Sequence, residues 1–227
     1  MTTREEFINS ASTALGRSSL PEPPAPLSYR HSVHTDVMKS LDQDELAKAF
    51  IDYSKTIGVD VFETTQSKLK QTLKQAVASC EPGTLVVADD PLLQQLDPAG
   101  LFSDVDVYVW DNKGTREKNI ALAEKCTVGI AVAKRALAES ATVLLFSHAG
   151  SGRSVTLLPK STIYIIPKSV IVPRLTQGMA YVREHKDLLP SSVNFVSGPS
   201  ATSDIELVRV VGVHGPVHVV HVVVNDL

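Results

Sequence analysis

Apolar and polar positions along this chain change period repeatedly, and the changes predict alternating helices and short strands. Thr3 and Glu6 form a capping-box pair, Phe7, Ile8, Ala11, Ala14 and Leu15 repeat at helical spacing, and Gly16 stops the helix. Four prolines (Pro21, Pro23, Pro24 and Pro26) follow within six residues, a composition that favours extended backbone and predicts a semi-rigid linker. The first helix must bury its apolar stripe on the chain's own body or on a partner. From Asp42 onward the alternation is regular. Asp42 and Glu45 start a helix whose stripe is Leu46, Ala49, Phe50 and Ile57, and Gly58 ends it; Leu69, Leu73 and Val77 mark the next helical face. After Asn112-Lys-Gly114 a helix is expected to run to Lys125. Strands are expected at 59–63, 84–88, 105–110, 127–130, 142–146, 162–166, 193–196 and 217–224. Their continuous Val/Ile/Leu character, alternating with helices, predicts an α/β protein: an open, mostly parallel sheet flanked by helices, behind an N-terminal helical arm. The expected division is an arm and linker over 1–34 and an α/β domain over 35–227.

Composition narrows the function classes. The 227 residues carry 22 Lys and Arg against 25 Asp and Glu, a net charge of −3, so no basic surplus points to nucleic acid. The longest apolar run, Val217 to Val224, holds two histidines and is far short of the ~20 residues of a membrane helix. Met1 is followed by Thr-Thr-Arg-Glu-Glu-Phe, with acids where a secretory signal would be apolar, and Cys80 and Cys126 stand far apart. A cytoplasmic protein without a membrane span is therefore expected.

Candidate chemistry is sparse. Phosphate-loop, dinucleotide-turn and nucleophile-elbow motifs are absent. Two cysteines cannot supply the four thiolates of an iron–sulfur cluster, so electron carriers are expected elsewhere. His218 and His221 share a strand at a spacing that puts them on opposite faces, which predicts structural roles; His31 and His34 flank the proline-rich segment with no further ligands in view. No metal site is expected.

Three polar loops interrupt the second half. Gly150-Ser-Gly-Arg-Ser154 combines Gly150 and Gly152, whose backbone N–H groups can converge, with the anion-binding fork of Arg153; a plain solvent turn is the alternative. The segment 197–206 offers Ser197, Gly198, Ser200, Thr202 and Asp204 after a strand, where open α/β sheets place ligands. Its alternative is a helix cap at Thr202 or Ser203, with Asp204 and Glu206 in the first turn. Gly212-Val-His-Gly-Pro216 is a tight turn carrying His214, either stabilising the turn or acting chemically. Glu139, at the entry to an apolar strand, is expected to lose hydration and become useful as acid, base or nucleophile; a cap or surface ion pair is the alternative.

The strings Ser197-Gly-Pro-Ser-Ala-Thr-Ser-Asp-Ile-Glu206 and Gly212-Val-His-Gly-Pro216, with Gly129–Thr142 and Arg153…Leu157-Leu-Pro159, resemble the LutC/YkgG (LUD-domain) family of lactate-utilisation proteins. The resemblance spans the chain from Asp42 to its end. It implies a fold like the CoA-transferase and ribose-phosphate-isomerase group and a bacterial role in oxidising L-lactate to pyruvate. It also implies two iron–sulfur partner proteins, clusters held only by those partners, and no cofactor bound by this chain alone. A small anionic ligand between the Arg153, Ser197–Glu206 and His214 loops fits that role. The alternative is a free-standing transferase or isomerase acting through Glu139 on a CoA- or phosphate-bearing substrate. The chain departs from the family pattern at Ala131-Val-Ala-Lys134, where Thr-x-Ala-Asp is usual, at Glu139-Ser-Ala-Thr142, where Glu-Thr-Gly-Thr is usual, and at Ala201, where a cation is usual.

Overall fold

A computed structural model describes residues 3–17, 25, 27–188, 190–204 and 207–227. The four prolines of the expected linker, except as sequence, lie outside the described residues, as do Ile205 and Glu206. The chain clusters into two compact units, 1–33 and 34–227. In the first, α1 (Arg4–Ala14) carries the expected capping box: the Glu6 N–H donates to Thr3 Oγ1, the Thr3 N–H donates to Glu6, and Gly16 follows at φ +71°.

The chain goes on through α2 (Val33–Asp36), α3 (Gln43–Thr56), β1 (Asp60–Thr64), α4 (Leu69–Ala78), β2 (Leu85–Val87), α5 (Pro91–Leu96), α6 (Pro98–Leu101), β3 (Val107–Val109), α7 (Arg116–Ala123), β4 (Val128–Val132), β5 (Arg135–Leu137) and β6 (Thr142–Phe146). It continues through α8 (Ser154–Leu157), β7 (Ser161–Pro167), β8 (Ile171–Val172), α9 (Leu175–Glu184), β9 (Val193–Val196), β10 (Ala201–Thr202), β11 (Val210–Val211) and β12 (His218–Val224). The second capping box also forms, with Asp42 accepting from the Asp44 and Glu45 N–H groups at the head of α3.

Six strands make the main sheet in the order β1-β12-β7-β4-β2-β3, every pair parallel. Its central strands are buried on both faces, as their unbroken apolar runs require: Ile163, Ile165 and Val222 are fully buried. His218 and His221 fall on opposite faces. His218 Nε2 meets Asp60 Oδ2 at 2.8 Å near the surface, while His221 is wholly buried beside Phe50.

A second sheet, β8-β5-β6-β9, was not legible in the sequence. It starts where the chain leaves β4 and immediately turns back. The Ala133 N–H donates to Ile165 O of the main sheet, and the Lys134 N–H to Leu144 O of the second. Residues 133–141 are rich in alanine and short on β-branched side chains, so they lack a strand pattern; the turn of the β5–β6 hairpin even holds Ala141 at φ +47°. Lys134 thus sits where the two sheets join.

Candidate functional site at the sheet junction

The main sheet reverses its winding between β2 and β4. After β2 the chain moves outward to β3; after β4 it moves the other way, to β7. In open α/β sheets the crevice beyond the C-terminal ends of two such strands is the natural ligand site. Here it is lined by Asp90 beyond β2, Lys134 beyond β4, and His148 and Arg153 from the β6–α8 loop.

Each side chain is held for a local reason. Asp90 caps α5, its Oδ1 accepting from the Leu92 N–H at 3.0 Å, while Oδ2 takes the Lys134 ammonium at 3.2 Å. Only 10% of the Asp90 side chain is exposed, so removing Lys134 would strand a nearly buried carboxylate. His148 pairs with Ser151 across a tight turn, and its Nδ1 lies 3.1 Å from the Gly150 N–H. Accepting there, the ring carries its proton on Nε2. Burial, seconded by the Lys134 charge, lowers the His148 pKa, which keeps the imidazole neutral near pH 7.

The same turn is fastened to the ends of β2 and β3. The Asp89 N–H donates to Gly150 O at 2.7 Å and the Trp110 indole to Ala149 O at 3.1 Å. A Cβ on Gly150 would collide with Asp89 O, and one on Gly152 would stand 2.5 Å from the Trp110 ring. Both glycines are therefore needed for close packing, while Arg153 beside them is exposed and lines the crevice. The inner pocket is about 20 Å³, enough for one water-sized group. His148 also borders two wider openings, about 420 Å³ on the Lys134 side and about 730 Å³ on the Arg153 side.

The other expected ligand residues are elsewhere. Gly198, at φ +70°, packs on Ile57 and Val59 ahead of β1; the Ser200 N–H donates to Pro216 O ahead of β12; and the Val217 N–H donates to Lys160 O ahead of β7. Ser200, Thr202, Asp204 and exposed His214 thus belong to an arm at the N-terminal end of the sheet, roughly 15–20 Å from Arg153 across the strand length. The single site expected between the Arg153, Ser197–Glu206 and His214 loops is not assembled within the described chain. Thr202 Oγ1 accepts from the Asp204 N–H at 3.3 Å, but among the described residues no helix follows, so the expected cap is a turn after β10 instead. Ser197 Oγ meets Thr142 Oγ1 at 2.6 Å where β9 ends.

Glu139 takes the second of its two readings, the surface ion pair. It occupies the β5–β6 turn, its side chain is 42% exposed, and its Oε2 lies 2.6 Å from Arg174 Nε. The turn lifts the carboxylate out of the apolar strand that was expected to desolvate it, leaving a surface ion pair that borders none of the three openings around His148.

Asp90, Lys134 and His148 were not named as site residues from sequence, Lys134 entering only as a departure from the family pattern, because they are 44 and 14 residues apart with no fixed spacing and only the parallel order of β2 and β4 unites them. The usable signal was positional: each of the first two is a charged residue just past an apolar strand.

Among the described residues no helix is long and apolar enough to cross a membrane. The chain is 41% identical to the lactate utilization protein C of Geobacillus sp. WCH70, over 98% of this chain and 96% of that protein. It is 34% identical to the protein of that name from Bacillus subtilis 168, with the same coverages. Among solved structures, a DUF162 family protein from Deinococcus radiodurans aligns with a TM-score of 0.61 at 20% identity, covering 82% of this chain and 99% of that one, which establishes the shared fold. The LUD domain model matches residues 47–224, which take in the two larger sheets and the crevice, and the chain belongs to the LUD domain family.

Proposed function

We propose that this chain is the non-cluster, ligand-binding component of a bacterial system that oxidises L-lactate to pyruvate, working beside iron–sulfur partner proteins. Near-full-length relatives bearing the name lactate utilization protein C support the system. The observation that carries the ligand-binding role is the crevice at the β2–β4 reversal, lined by Lys134 in its pair with Asp90, by Arg153 and by a neutral His148 with its proton on Nε2. A small carboxylate entering there meets cations and a hydrogen-bond donor at the mouth of a water-sized pocket. Oxidising L-lactate releases two electrons; two cysteines cannot supply the four thiolates of a cluster, so in this reading the electrons pass to the partners.

The test is lactate-dependent dye reduction by the purified iron–sulfur partners, with and without this protein. A rate that requires the protein is expected. The same rate in its absence would overturn the proposal.

A further inference from the structure

We propose that the larger opening beside His148 is a subsite for a phosphate-bearing polyanion of nucleotide size, gripped between Arg116 and Arg153. The inference rests on reading the crevice as the ligand site and adds a second ligand class to it. Arg116 is the first residue of α7 and Arg153 precedes α8, so separate elements bring two guanidinium groups to one cleft. Among the described residues neither guanidinium has a hydrogen-bond or ion-pair partner, and the cleft lining holds no carboxylate. Lys134 differs, since it is also held in an ion pair with Asp90.

Charge and size agree on the ligand. Two unpaired guanidinium forks exceed what one carboxylate can balance and match a diphosphate, whose several oxygens accept bidentate bonds. The hydroxyl of Ser154 and the Nε2–H of His148 border the same space as further donors. The opening is about 730 Å³. A three-carbon acid fills roughly 100 Å³, about three times the liquid share of one water. Sites for larger organic ligands span about 300–1,000 Å³. L-Lactate alone would leave most of the cleft and Arg116 unused.

Trp110 is the chain's one tryptophan and lines this cleft, so its fluorescence reports on the site. The full-length protein is titrated with pyrophosphate, ADP, L-lactate and pyruvate, following Trp110 emission and, in parallel, calorimetric heat. Pyrophosphate is expected to bind at least about tenfold more tightly than L-lactate, with ADP at least as tight as pyrophosphate. The double variant Arg116→Ala/Arg153→Ala, both residues being exposed, is expected to keep the wild-type circular dichroism and lose at least about tenfold in affinity for both phosphates. Glu139→Gln, which alters only a surface ion pair outside the cleft, is expected to leave phosphate affinity within about twofold. Absence of phosphate binding at millimolar concentration, ADP weaker than pyrophosphate, or affinity unchanged in the double variant would each overturn the proposal. The dye-reduction assay is independent of these titrations: lactate dependence with no phosphate binding defeats the subsite alone, and phosphate binding with no lactate dependence defeats the lactate role alone.

Discussion

His221 gives the fold a built-in sensitivity to acid that one substitution should remove. It sits in the middle of β12 with no exposed surface, its ring stacked on Phe50 at 5.0 Å. The Ser54 hydroxyl donates to Phe50 O at 2.7 Å, so the 3.0 Å contact between Ser54 Oγ and His221 Nδ1 is a bond donated by the ring. Nε2 is left as a bare acceptor with no partner among the described residues. Burial pushes the imidazole pKa from 6.5 down to about 3. The folded chain therefore cannot take up the proton that the unfolded chain binds below pH 6.5, and stability falls as the pH drops from there towards 3. Each pH unit in that window is worth about 1.4 kcal/mol, so His221 alone removes about 2 kcal/mol between pH 6.5 and 5. His221→Phe keeps an aromatic ring against Phe50 and forfeits the bond to Ser54; His221→Leu is a smaller second choice. Urea unfolding followed by Trp110 fluorescence at several pH values, wild type minus variant, cancels the carboxylates and other histidines common to both. The difference should shrink by about 2 kcal/mol between pH 6.5 and 5. Parallel pH profiles in both variants would refute the reasoning.

Three further outcomes are expected. Gly129→Ala places a Cβ inside contact distance of the Val155 carbonyl, a backbone group in a buried layer that cannot step aside, and should lower unfolding free energy by about 3 kcal/mol in urea titration. Glu139→Gln breaks only a surface pair with Arg174, so stability should change by no more than about 1 kcal/mol and lactate-dependent dye reduction should stay at the wild-type rate. Lys134→Met removes a charge that holds the His148 pKa down and leaves Asp90, which pulls it up, without its ion-pair partner; the His148 midpoint in an NMR titration should therefore rise.

How far the sequence reached depended on whether a signal was local. Both capping boxes, the glycine stops at Gly16 and Gly58, and the apolar strands 142–146 and 193–196 are written within a few residues, and the structure reproduces them. The parallel main sheet followed from unbroken Val and Ile runs buried on both faces. The β5–β6 hairpin did not show, because Ala133–Ala141 carries too little side chain to display a period. Loops were harder still. Gly150 and Arg153 were singled out and do border the crevice's turn, but the arm of Ser200 and His214 lies at the opposite end of the sheet, a separation that strand order alone decides. Of the two readings of Glu139, the surface ion pair holds and the desolvated acid does not, because its turn projects it to solvent and a strand-entry position does not tell which way a turn points.

The most direct test of the crevice as the working site is lactate-dependent dye reduction with the proposed iron–sulfur partners, restored by wild-type protein or by Lys134→Met. The variant should remain folded by circular dichroism and restore no more than about a tenth of the rate, because the cation facing the carboxylate is gone. Full restoration by Lys134→Met would contradict the account and move the functional site away from the β2–β4 reversal.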